Sequence, residues 1–169
     1  MKTVIFSILA VLFSISSYAQ GNDLSKMDSL QRNEYLTKLA KEVLKNFAPD
    51  FYSEKLKINI SPDPEVFYNE WGDQPKVKKH FNRKYYIVKL ENLELKREFK
   101  ICIWESDGEP VMITYLWTGW GCNFFYRSYK DWIRDGVKEE EKFHYEPKEI
   151  KEKPNLDPDS FYIPAETTW

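Results

Sequence analysis

Histidine, cysteine and glycine are all scarce in this chain, and each shortage removes a class of chemistry. Two histidines, His80 and His144, and two cysteines, Cys102 and Cys122, are its whole stock of nitrogen and sulfur metal ligands. They fall roughly twenty residues apart with no local pair, whereas zinc sites use four such ligands at short local spacings. No metal and no cofactor is therefore expected. Six glycines are too few for a flexible low-complexity chain, and no internal repeat is visible. An excess of either charge is lacking too, with 25 Lys+Arg against 27 Asp+Glu. Such a balance gives no electrostatic reason to expect nucleic acid as a partner, because phosphate contacts need clustered basic residues.

Long apolar runs are missing except at the start. Met1-Lys2 supplies one positive charge, Val4 to Ile15 is apolar apart from Ser7 and Ser14, and Ser17 and Ala19 are small. A basic end, an apolar stretch of about a dozen residues and small residues at −3 and −1 of a cut after Ala19 predict a cleaved signal peptide over residues 1–19. The competing reading is an uncleaved anchor, but a membrane span needs about twenty apolar residues. No cysteine lies near the cut to carry a lipid. The sequence Ser17-Tyr18-Ala19 before Gln20 resembles signal peptides of Bacteroidetes, which bears on the leader and not on activity. The expected destination is outside the cytoplasm, periplasmic or extracellular, with no transmembrane helix left after processing. Without Lys2 the remaining chain keeps 24 basic residues against 27 acidic, a net charge of −3. Its length is that of one domain, enough to bury an ordinary core.

What the chain has in quantity is aromatic side chains: six Trp, eleven Tyr and eleven Phe. Aromatics favour strands and interfaces over helices. The clearest helix signal is nevertheless strong. Asp28 is placed as an N-cap with Gln31 three residues on. Leu36, Leu39, Ala40, Val43, Leu44 and Phe47 then recur on a 3.6-residue period, opposite Lys38, Lys41, Glu42 and Lys45, until Pro49 stops the run. Lys55 to Ile60 alternates polar and apolar, as a half-buried strand does. Tyr85 to Leu90 reads as a second strand. Phe99 to Glu105 and Val111 to Thr118 read as a hairpin around Asp107-Gly108. If those two residues form the whole loop, Cys102 faces Ile113. Residues 65–80 read as irregular, with Val66, Phe67 and Trp71 as core contacts. Cys122 to Arg127 offers a further strand, and Tyr129, Trp132 and Ile133 have helical spacing ahead of Gly136 as a C-terminal cap.

The order implies an α+β fold, with one long N-terminal amphipathic helix packed on an antiparallel β-sheet. In layout only, it resembles cystatin-like, helix-on-meander folds. The domain is expected over residues 20–136, followed by a charged, partly disordered tail over 137–169. Within that tail Phe161-Tyr162-Ile163-Pro164 is apolar enough to dock back.

Four constellations bear on function. Cys102 and Cys122 are a disulfide candidate, since export permits bridges. The bridge would close a loop of roughly twenty residues and stabilise by about 3 kcal/mol in the chain-entropy model. The alternative is two buried, inert thiols. Cys122, in Gly119-Trp120-Gly121-Cys122-Asn123, is a weak catalytic candidate that needs a histidine within reach. Glu65, Glu70 and Asp73 around Trp71 resemble a sugar-binding cluster, though polar loops commonly hold such acids on the surface. The fourth is the aromatic concentration from Tyr115 to Trp132. Trp117, Trp120, Phe124 and Tyr126 are its candidate binding residues, and Trp120 stands out because glycines flank it and no strand period claims it. An exposed Trp in a Gly-Trp-Gly turn suits a protein partner or a sugar ring. The leading expectation is a non-enzymatic exported binding module, inhibitor- or immunity-like, with an unknown protein or glycan partner. An envelope-polymer hydrolase using Cys122 or a carboxylate pair is the second, and a structural envelope protein the third.

Overall fold

The computed structural model describes residues 22–68, 75–116 and 118–144. Residues 1–19, expected to be a leader, Trp71 with Glu70 and Asp73, Trp117 and the Phe161–Pro164 stretch lie outside the described residues. The long helix, α1, runs Ser29–Phe47. Asp28 caps it, its carboxylate accepting from the Gln31 N–H at 2.9 Å, which satisfies one of the four N–H groups a helix start leaves unpaired. Leu36, Leu39, Ala40, Val43, Leu44 and Phe47 are its buried residues. Each large apolar side chain fully buried this way contributes about 1.5–3 kcal/mol of transfer free energy. A 3₁₀ turn, Pro49–Phe51, follows at once.

The sheet is antiparallel and built from β1 (Lys57–Ile60), β2 (Glu65–Val66), β3 (Lys84–Asn92), β4 (Arg97–Trp104), β5 (Pro110–Tyr115) and β6 (Gly121–Asn123). Its order is β1-β3-β4-β5-β6, with β2 also pairing β3. From β3 onward each strand pairs with the next, so β3 to β6 is a meander. A short helix α2 (Pro75–Lys78) precedes β3, and α3 (Tyr129–Asp135) follows β6. The fold is thus α+β, with α1 lying across an antiparallel sheet. Among the described residues no helix is long and apolar enough to cross a membrane.

Alternation along the strands separates two apolar faces. Tyr86, Val88 and Leu90 of β3, Phe99, Ile101 and Ile103 of β4, and Ile113 of β5 meet α1 in the main core. Tyr85, Ile87, Cys102, Trp104 and Met112 point the other way into a second cluster. Phe67, Val77 and Phe125 cover that cluster, with Phe81 packed against it. Both sides of β4 are therefore buried from Phe99 to Trp104. The described parts of the segment read as irregular, β2 with Phe67 and α2 with Val77, roof this second face.

One expectation needs correction. The β4–β5 register is Cys102↔Met112, not Cys102↔Ile113. The loop is longer than Asp107-Gly108: Gly108 N–H returns to Trp104 O at 3.0 Å, with Gly108 at φ +66, and a bulge lies between Cys102 and Ile103. Cys102 and Met112 thus share the face away from α1, while Ile101 and Ile113 share the face towards it. The domain is expected to end at residue 136. Gly136 does end α3, at φ +79, but ordered packing continues beyond it. Val137 and Phe143 pack on the main core, Phe143 N–H donates to Phe47 O at 2.6 Å, and the Phe143 ring meets Phe99 at 6.0 Å.

Candidate functional site

The β5–β6 hairpin presents the most conspicuous aromatic surface. Two different constraints shape its Gly-Trp-Gly tip. Gly119 has φ +73, a region that side chains disfavour. Gly121 lies so close to β5 that a Cβ there would come within 2.8 Å of Ile113 O. Between them, Trp120 O accepts from Tyr115 N–H at 2.6 Å, and Trp120 N–H donates to Thr118 Oγ1 at 3.2 Å. With its backbone pinned on both sides, the Trp120 side chain projects outward and is 61% exposed. An indole held on a short hydrogen-bonded turn loses little backbone freedom on binding, which is what makes an anchor efficient.

The other candidate binding residues separate from it. Phe124 is core, its ring 5.3 Å from Phe47 and 5.5 Å from Tyr129. Tyr126 is half exposed, beyond the opposite end of β6 from Trp120, with Lys76 Nζ 5.7 Å from its ring centre. Trp117 lies outside the described residues. Among the three that are described, Trp120, Phe124 and Tyr126 do not share one patch.

Both cysteines are free thiols. Cys102 pairs with Met112 and Cys122 with Ile113, neighbours on β5 that face opposite sides of the sheet. No bridge can span the two without breaking β5–β6 pairing, so the arrangement is that of two separate thiols, Cys102 buried and Cys122 half-buried. Burial pushes each thiol up to about 12. A catalytic thiol is instead lowered by a cation, a histidine or a helix N-terminus. The two histidines are engaged elsewhere. His144 Nδ1 lies 3.1 Å from Asp50 and Nε2 3.1 Å from Glu139 O, and its pKa is raised by the Asp50 hydrogen bond first.

His80 belongs to the second face. It stacks on Trp104 at 5.3 Å, and the Arg83 guanidinium lies over the same indole at 4.2 Å. Arg83 Nη1 is 3.0 Å from His80 Nδ1; since a guanidinium only donates, Nδ1 accepts and the imidazole is neutral. Arg83 also pairs with Asp107 at 2.6 Å. Burial first, then the Arg83 and Lys79 charges, hold His80 below its ordinary pKa. This cluster ties the roof segment to the β4–β5 loop. Of the three acids near Trp71, Glu65 accepts from the Tyr85 hydroxyl at 2.9 Å; the other two are not among the described residues. Among those residues no group of three or more His, Cys, Asp or Glu could hold a metal ion.

One feature escaped the sequence altogether. A cleft of about 380 Å³ opens between α1, the β4–β5 loop and α3, with Tyr35, Glu42, Gly108 and Tyr129 in its walls. These residues are dispersed over the chain, and none carries a local pattern that marks a site.

Neither the protein-family models, nor the curated proteins, nor the solved structures include a match to this chain. The functional reading therefore rests on the chain's own geometry.

Proposed function

We propose that this chain is an exported, non-enzymatic binding module that engages a protein or glycan outside the cytoplasm through Trp120. The observation that carries the reading is the 61% exposure of Trp120 on a hydrogen-bonded, glycine-flanked hairpin tip. Most other large aromatics among the described residues are spent on the two cores. An exposed indole is the side chain most enriched at binding hot spots. The leader supports export, and the near-neutral charge supports a partner other than nucleic acid. The cystatin-like comparison belongs to this proposal as a likeness of layout, a helix over a meander whose turns reach solvent. The hydrolase alternative gains no support from the cysteines, whose buried, protonated thiols are poor nucleophiles.

Two experiments test the reading. N-terminal sequencing of the protein from the envelope or medium should begin at Gln20; an intact Met1 terminus on cytoplasmic protein defeats the export part. Capture from cell-envelope extract by wild type and Trp120→Ala tests the binding part, where equal capture of the same molecules removes Trp120 as the anchor.

A further inference from the structure

The cleft between α1 and α3 contains an unbalanced charge. Two cations line its walls, and each already has a carboxylate. Lys130 pairs with Glu109, and Arg134 lies 2.8 Å from both Asp131 and Asp135. Asp107 is matched by Arg83. Glu42 differs. Its hydrogen-bond partner is the neutral Tyr129 hydroxyl, at 3.0 Å, which accepts in turn from Asn46 Nδ2 at 3.0 Å. No ion pair to Glu42 forms among the described residues.

The surroundings of that carboxylate are apolar and aromatic. Leu39 and Pro110 line the cleft with Ile133, which is 40% exposed although it is a large aliphatic side chain. Tyr35 stands one helical turn and more before Glu42 on α1, and its hydroxyl donates to Gly108 O at 3.1 Å. That contact fixes the opposite wall, since a Cβ on Gly108 would come within 2.8 Å of the same hydroxyl. The walls are thus held before any ligand arrives. The volume of about 380 Å³ lies within the range of small-molecule sites, which combine apolar walls with a few placed polar groups.

We propose that this cleft binds a small organic ammonium: a single positively charged nitrogen on an aromatic or aliphatic stem. The stem lies against Leu39, Pro110 and Ile133, and the ammonium donates to the Glu42 carboxylate beside the Tyr129 ring. A charged hydrogen bond of this kind is about twice as strong as a neutral one, and phenol faces add cation–π attraction. An anion finds nothing equivalent, because Lys130 and Arg134 are already neutralised and Glu42 repels it. The cleft takes only Pro110 from the Trp120 hairpin, at the end of β5 away from the Gly-Trp-Gly tip, so the inference stands apart from the reading of Trp120.

The test titrates the isotope-labelled protein by NMR with three probes that share a phenethyl stem: phenethylammonium, 2-phenylethanol and 3-phenylpropionate. Phenethylammonium should saturate, with shifts concentrated at Leu39, Glu42, Tyr129 and Ile133. The alcohol should bind at least about tenfold more weakly, as should phenethylammonium to Glu42→Gln, while the carboxylate should show no saturation. Glu42→Gln preserves shape and can still accept from Tyr129, and the alcohol arm needs no variant at all. A lysine supplied as Nα-acetyl-lysine methylamide distinguishes a protein-borne ammonium from a free amine. Equal affinity for ammonium and alcohol, unchanged affinity in Glu42→Gln, or no saturation by either ammonium up to about 10 mM overturns the proposal.

Discussion

His80 shows how one side chain links charge to the stability of a whole segment. As a neutral acceptor for Arg83 it helps pin the roof of the second core. Its folded pKa is lowered by burial and then by Arg83 and Lys79, so below the ordinary value of about 6.5 the unfolded chain takes up a proton more readily than the folded one. Stability therefore falls as pH drops from near 6.5 towards the lowered folded value, then levels off. His144 acts in the opposite sense, because its raised pKa adds stability as pH falls; being exposed, it acts weakly. Thermal unfolding between about pH 7 and 5 should show a falling midpoint that His80→Gln flattens and His144→Gln steepens. A midpoint that falls equally in wild type and His80→Gln contradicts the assignment. The thiols give a second residue-scale prediction. At neutral pH the native protein should resist iodoacetamide, and in denaturant without reductant both Cys102 and Cys122 should be alkylated. Failure to alkylate unreduced, unfolded protein would mean a bridge that the strand register forbids.

At the scale of elements, α1 carries the main core. Leu36→Ala should cost about 2–5 kcal/mol in urea unfolding, the usual range for a fully buried leucine. Asp28→Ala should cost about 1 kcal/mol through the lost cap. A cap change as costly as the core change would mean that α1 is held by its end and not by its face. The sequence made this helix legible because period, cap and stop all agree over residues 28–49. The strands were legible in place but not in register. Asp107-Gly108 is a two-residue turn signal, yet Arg83 holds Asp107 from 24 residues away and Gly108 closes back on Trp104. Long-range contacts of that kind leave no local trace. Residues 65–80 were unreadable for the same reason: β2 and α2 are short, and only the apolar outer face of β3 and β4 gives them something to cover.

At the scale of the molecule, the described residues form a sheet whose central strands are buried on both sides, with Val137 and Phe143 packed against the main core. Phe143→Ala should cost about half of the roughly 3–5 kcal/mol typical of a core Phe, since its ring is only half buried. Glu140→Ala, exposed in the same turn, should be near neutral. Equal effects would show that the segment contributes nothing through packing. Charge composition hid this docking, because the acidic and basic residues around Phe143 outnumber the two apolar ones that hold it. The candidate sites divide in the same way. Trp120 was legible because its two glycines are local, whereas the Glu42 cleft depends on three elements meeting. Capture from cell-envelope extract, with Trp120→Ala and Trp120→Phe beside wild type, tests the central claim most directly. Wild type should retain a specific partner, Trp120→Phe should retain part of it, and Trp120→Ala should lose about thirtyfold or more in affinity, as hot-spot truncations do, with an unchanged unfolding midpoint. The same partner retained equally by wild type and Trp120→Ala would contradict the account.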